Sequence, residues 1–241
     1  MSAIFSVWFD GGEPKWRDRW ARLAGVLART ARAQCPGWDV QVVSLPMPDR
    51  EAWRHKRWSD VLNTAKLRVW ASHVQGVPNG TRLLLCDTDM AVTGRLDDAW
   101  TLMRTNFAVC TCPGRLPLNA GAVYLRVTQE TKALMRLWVL ENDALFADPV
   151  LHLKWRQVYG GMNQAALGKA LSEGKRIRHL STLPSSVWNA CVPDDWAAFE
   201  PGRTRLLHVK SDLRGAVLLG ARHGNWRAAR AFWEAHDVLT A

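Results

Sequence analysis

Tyrosine is nearly missing from this chain, with 2 residues in 241 against 14 tryptophans. Other absences exclude more. No stretch approaches the roughly 20 consecutive apolar residues that a membrane-spanning helix needs. The apolar start, Met1 to Asp10, is too short for a secretory leader, and Asp10, Glu13 and Lys15 prevent its extension; a cytoplasmic protein is expected. The cysteines Cys35, Cys86, Cys110, Cys112 and Cys191 are odd in number, and no CxxC pair suggests zinc or dithiol chemistry. They read as buried thiols, with Cys110 and Cys112 on one expected strand. Repeats, low-complexity segments and Ser/Gly linkers are also absent, so one domain over residues 1–241 is expected.

What is present is an ordinary globular composition with a basic surplus. Hydrophobic residues make up 48% and charged residues 22%, enough apolar material to bury a core without staples. The net charge is +10, from 32 Lys and Arg against 22 Asp and Glu, and a field of that sign attracts nucleotide diphosphates, nucleic acid or acidic lipid. Trp16, Trp20, Trp53, Trp58, Trp155 and Trp226 sit among basic residues, a pattern suited to stacking on bases or sugars.

Strands and helices alternate. Ile4 to Phe9 reads as a strand, Trp16 to Gln34 as an amphipathic helix ended by Pro36-Gly37, and Asp39 to Leu45 as a second strand. Trp58 to His73 is expected helical. Arg82 to Cys86 is a continuous apolar strand, the form of a central strand buried on both faces. Further strands are expected at Phe107 to Thr111, Ala122 to Val127, Ile177 to Leu180 and Arg205 to Val209. Further helices are expected at Thr131 to Leu145, Asn163 to Leu171 and Asn225 to Leu239. This order implies an α/β fold with a mostly parallel sheet, whose ligands sit at the carboxyl ends of the strands.

Asp87-Thr88-Asp89 falls at such an end. Two carboxylates directly after a buried strand are costly unless something positive holds them. Residues two apart in extended chain project to one side, so Asp87 and Asp89 can converge on one hard divalent cation. A solvated turn with a helix-capping Asp is the bland alternative. Asn119-Ala120-Gly121 before a strand suggests backbone passing close to a ligand, with the Asn119 amide offered to sugar hydroxyls, or else a plain turn. Gly160-Gly161 leads into a helix opening on Asn163 and Gln164, which can reach sugar hydroxyls or simply cap the helix. His208 ends an apolar strand, two residues before Lys210. The pair reads either as a core histidine with a surface lysine, or as a metal ligand beside a phosphate-neutralising cation.

The order of these motifs resembles the GT-A nucleotide-diphospho-sugar transferases, in particular the family-8-like branch that contains glycogenin and bacterial galactosyltransferases. The resemblance covers roughly residues 3 to 215. It implies a GT-A fold, with residues 1–90 as the nucleotide-binding half and 91–241 as the sugar and acceptor half. It implies that Asp87 and Asp89, with the intervening Thr88, bind Mn2+ (or Mg2+) and the diphosphate of a nucleotide sugar, UDP-sugar by family default. His208, followed by Gly215, completes the metal site. Asn119 and Gly121 contact the donor sugar, and Lys66, within Asn63 to Leu67, approaches the donor. Val7 to Asp10 occupies the nucleotide-base position. The family carries Asp-Gln where this chain has Asn163-Gln164. An amide cannot act as base or nucleophile, so orientation of the sugar is the role left to that pair, and Asp194 and Asp195 are the alternative carboxylates. Asp87, Asp89, Asn163 and Gln164 form the expected catalytic set.

The implied reaction is sugar transfer to an acceptor hydroxyl. The basic segments Arg17 to Arg32 and Arg50 to Arg57 suggest a polyanionic acceptor. One such acceptor is a hydroxymethylated pyrimidine in phage DNA, flipped from its duplex; the alternatives are a glycan, lipopolysaccharide or protein. A metal-dependent nucleotidyltransferase or nuclease, and a non-catalytic DNA-binding module, are the readings from other classes. A two-metal site wants a third carboxylate, and no convincing one stands in the sequence.

Overall fold

The computed structural model describes residues 1–11, 14–112, 116–173, 180–220 and 226–237. Its centre is a six-stranded sheet in the order β2-β1-β3-β6-β5-β7, formed by β1 (Ser2–Asp10), β2 (Asp39–Pro46), β3 (Arg82–Cys86), β5 (Phe107–Cys112), β6 (Leu116–Arg126) and β7 (Ser181–Pro184). Only β6 runs against the rest, pairing antiparallel with β3 and β5. A second, two-stranded sheet joins β4 (Met90–Val92) to β8 (Leu206–His208).

The alternation of strand side chains sorts the core onto two faces. Phe5, Val7, Leu83, Leu85, Val109, Val123 and Leu125 pack beneath α2 (Trp58–Gly76), α4 (Gln129–Ala147) and α6 (Met162–Glu173). Ile4, Leu84, Cys86, Ala108, Cys110 and Tyr124 face α1 (Pro14–Gln34) and α3 (Asp98–Leu102). Each leucine of β3 is fully buried, a gain on the order of 1.5–3 kcal/mol apiece before the entropy cost. Along α1, Leu23, Val26, Leu27, Thr30 and Ala31 are buried at helical spacing. A third cluster joins Leu23 and Val26 to Trp196, Trp226 and Trp233, beside α9 (Ser211–Leu219) and α10 (Arg227–His236).

Strand β6 changes faces part-way. Leu118 and Ala120 lie on the same side as Val123 and Leu125, whereas Ala122 and Tyr124 lie opposite. The cause is a register shift: Val109 pairs with Val123, yet Cys110 pairs with Asn119. The extra residues form a bulge at Ala120 to Ala122, and such a bulge re-aims the chain. Asn119 is therefore inside a strand, not in the turn expected before one.

The expected elements correspond to observed ones with shifted ends. The expected late strand from Ile177 lies outside the described residues except for Leu180, and β7 begins just after it. The ends of the expected Asn225 to Leu239 helix and the side chain of Cys112 are likewise outside. The other four cysteines are buried. Helix α5 (Pro149–Tyr159) has no counterpart among the expected elements. Asp148 starts it by accepting bonds from Val150 and Leu151 amides at 2.9 and 3.0 Å, with Pro149 in the first turn and Gly160, at φ 85°, closing it. Among the described residues, no helix is long and apolar enough to cross a membrane.

Candidate active site

Thr88 fixes the acidic pair. Its hydroxyl donates to the Val7 carbonyl at 2.8 Å and lies 3.1 Å from the Ser6 hydroxyl, so the side chain is buried between β1 and the end of β3. Asp87 and Asp89 consequently face the other way. His208 arrives from far along the chain because β8 pairs with β4, placing His208 opposite Met90, and because the Val209 amide donates to the Asp89 carbonyl at 2.7 Å. Its Nε2 lies 3.3 Å from Asp89 Oδ1 and 3.8 Å from Asp87 Oδ2. Ligand atoms of the three residues lie within 4.8 Å of one another.

The donor set and its surroundings fit a divalent cation. His208 Nδ1 lies 2.9 Å from Asn189 Oδ1. With the proton on Nδ1, the Nε2 lone pair is left towards the carboxylates. Gly121 backs the cluster, and its carbonyl accepts from the Asp87 amide at 2.8 Å. A Cβ there would stand 2.8 Å from His208 Cε1 and 3.0 Å from Asp87 Oδ2. Two cations hold the carboxylates: the Lys66 ammonium on Asp87 Oδ1 and the Arg214 guanidinium on Asp89 Oδ2. Lys66 also lies over the Trp70 ring at 4.6 Å and Arg214 over Trp20 at 5.1 Å. Burial pushes the Asp89 carboxyl up, but His208, when its imidazole carries both protons, and Arg214 outweigh it and hold the group below the usual carboxylate range.

The cluster forms the floor of a cavity of about 600 Å³. One side is the end of β1, Val7 to Phe9, with Trp20. Another is the start of α9, with Lys210, Ser211 and Arg214. The last is built by the starts of α2 and α6, from Arg57 to Lys66 and Gly161 to Gln164. The structure thus gathers Val7, Lys66, Asp87, Thr88, Asp89, Asn119, Gly121, Asn163, Gln164, His208 and Lys210 around one space.

Several expectations need correction. Asp10 and Gly215 do not line the cavity, and a Cβ at Gly215 would meet nothing within 4 Å. Asp194 and Asp195 belong to α8 (Pro193–Ala197), away from the cavity lining, where Asp195 accepts from the Cys191 amide at 3.1 Å. The Asn119 amide is already engaged: it accepts from the Gly121 amide and donates to Cys191 Sγ, each at 3.0 Å. Asn163 caps nothing; it is 6% exposed and neither amide atom has a partner among the described residues. Gln164 donates to the Tyr159 carbonyl at 2.6 Å, closing α5 rather than opening α6. Of the six tryptophans in basic surroundings, Trp226 is buried, Trp20 lines the cavity and Trp16 is 53% exposed. Sequence reasoning missed Asn189 and Arg214. Arg214 had a readable signal, lying one helical turn into the segment after His208; Asn189 had none.

No protein-family model and no curated protein sequence matches the chain. Solved structures do. The glycosyltransferase GlyE of Streptococcus pneumoniae TIGR4 superposes with a TM-score of 0.62 at 14% identity, over 98% of this chain and 60% of that one. The galactosyltransferase LgtC, in complex with donor and acceptor sugar analogues, gives 0.59 at 14% identity, over 100% and 97%. A glycosyltransferase involved in glycosylation of the major capsid of PBCV-1 gives 0.59 at 10% identity, over 91% and 99%. The fold is that of the GT-A glycosyltransferases. At these identities the likeness speaks for the fold, and the chain spans only 60% of the length of GlyE.

Proposed function

We propose that this chain is a metal-dependent glycosyltransferase that moves a sugar from a nucleotide-diphosphate donor, UDP-sugar by family default, to an acceptor hydroxyl. One observation carries the reading: Asp87, Asp89 and His208 converge on the floor of a cavity that also holds Lys66, Lys210 and Arg214. Paired carboxylates alone would repel a diphosphate. The same carboxylates among three cations and a metal-fitting imidazole suit one.

Asp87, Asp89 and His208 would hold Mn2+ or Mg2+, which when bound neutralises charge on the leaving diphosphate. The remaining work belongs to the chain. Lys66 and Arg214 sit on the carboxylates and reach the same floor, so each can exchange its carboxylate partner for a diphosphate oxygen. Lys210 precedes the first turn of α9, where helix amides and the helix dipole add to its charge. Positioned groups of this kind are each worth on the order of 3 kcal/mol when aimed at developing charge. The end of β1 with Trp8 and Trp20 walls the side suited to a flat base, and Asn163 with Gln164 lies on the side suited to sugar hydroxyls. Asp87 and Asp89 are the only carboxylates among the described lining residues. Among the described lining residues no third carboxylate stands ready for the two-metal site of a nuclease or nucleotidyltransferase. Cytoplasmic location belongs to the same reading.

The basic segments Arg17 to Arg32 and Arg50 to Arg57 support a polyanionic acceptor, of which a hydroxymethylated pyrimidine in DNA is one. UDP release from a panel of UDP-sugars, with Mn2+ or EDTA, tests the reaction. Activity should vanish in EDTA and in Asp87→Asn and Asp89→Asn proteins that keep their circular dichroism; full turnover in either case refutes the reading. A gel shift on duplex DNA tests the acceptor, and no binding at low salt removes DNA.

A further inference from the structure

Three helices open onto the cavity, and two of them begin unusually. Arg57 precedes α2 and Lys210 precedes α9, each as the N-cap residue and neither with a side-chain cap bond. A cation at a helix N-terminus opposes the helix dipole. Lys210 is accounted for by a diphosphate; Arg57 is not. Among the described residues Arg57 makes no ion pair, although its residue lines the cavity.

The charge balance points the same way. Arg57, Lys66, Lys210 and Arg214 face only Asp87 and Asp89 across the cavity. A divalent cation and a doubly charged diphosphate enter with opposite and equal charge, so the positive surplus remains after a donor binds. The start of α6 lines the same cavity as Arg57, and α6 packs on α2. The amides of Met162, Asn163 and Gln164 have no acceptor among the described residues. The Asn163 side chain, 6% exposed, has both its amide atoms unpartnered as well. A buried amide without partners is destabilising, and a ligand that drew it out would offset that cost.

We infer that Arg57, the free amides at the start of α6 and Asn163 form a second anion subsite. It takes a carboxylate or phosphate carried either by the transferred sugar or by the acceptor. This rests on the glycosyltransferase reading and sharpens it. An aspartate at position 163 would repel such a group; the asparagine here can donate to it.

The test is calorimetric titration of the full chain with Mn2+ present. The donor arm compares UDP, UDP-glucose and UDP-glucuronic acid. The acceptor arm, on UDP-saturated protein, compares glucose with glucose 6-phosphate. We expect the anionic probe of at least one arm to bind tenfold or more tightly than its neutral counterpart. Which arm responds identifies the bearer of the anion. Arg57→Gln and Asn163→Asp should each abolish that preference, Arg57→Lys should retain part of it, and higher salt should weaken it. Binding of UDP without an anionic preference in either arm, or a preference that survives in both Arg57→Gln and Asn163→Asp, overturns the subsite alone. Failure of UDP itself to bind overturns the diphosphate reading and the subsite with it.

Discussion

Gly121→Ala is the sharpest single perturbation of this site. A Cβ at that position would lie 2.8 Å from His208 Cε1, 3.1 Å from His208 Nδ1 and 3.0 Å from Asp87 Oδ2. None of these atoms is the loose end of a mobile side chain. The imidazole is buried and held by Asn189, and Asp87 is bound through its own amide to the Gly121 carbonyl. The methyl must therefore displace the ring or push the β6 bulge outward. Overpacking of this kind costs about 1–3 kcal/mol. For a chain of this size that is a fall in melting temperature of about 2–12 °C. Displacing the imidazole also turns Nε2 away from the carboxylates, and loss of ligand orientation typically costs about 10–100-fold in metal affinity. Thermal unfolding and Mn2+ titration, run on the same preparation, read the two effects separately. An alanine variant with both the melting temperature and the Mn2+ affinity of the parent would refute the argument that Gly121 is small because His208 and Asp87 need its space.

Asn189→Ala frees His208 Nδ1 from its partner, and Mn2+ affinity should fall about 10–100-fold, with Asn189→Asp restoring most of it; unchanged affinity in the alanine variant would show that Asn189 does not orient the ring. Burial lowers the pKa of both His73 and His152 from the ordinary value of 6.5. A base of that kind binds more protons when unfolded, so its contribution is complete above the unfolded value and is lost as the pH falls below it. The melting temperature should therefore decline on acidification below about pH 6.5. His73→Phe, which keeps a ring stacked on Phe5, should flatten the decline, and an unaltered slope would remove His73 from the account.

Local pattern made much of this protein legible. The unbroken run Leu83-Leu84-Leu85-Cys86 required burial on both faces, and the sheet buries both. The spacing of Leu23, Val26 and Leu27 required a helix with one apolar side, and α1 has it. Asp87 and Asp89 two residues apart had to project together once Thr88 turned inward. Other signals were misread because their meaning depends on distant partners. Asn163 looked like a cap, since asparagine at a helix start usually is one, yet it caps nothing and lines the cavity wall with its amide buried. Gly160 and Pro149 marked the two ends of α5, and Leu151, Trp155 and Tyr159 recur at the helical spacing that faces the core, so this helix was legible although the expected elements omit it.

Periodicity and residue chemistry thus determined the α/β order, the central strand and the acidic pair at its end, because those arise from interactions within a few residues. Only the tertiary structure decided which cations meet those acids. Arg214 reaches Asp89 across 125 positions, and Asn189 orients His208 only because β8 lies against β4. The β6 bulge that seats Gly121 beneath Asp87 depends likewise on its register with β5. Pairing of this sort is set by packing of the whole chain, and no short window of sequence contains it.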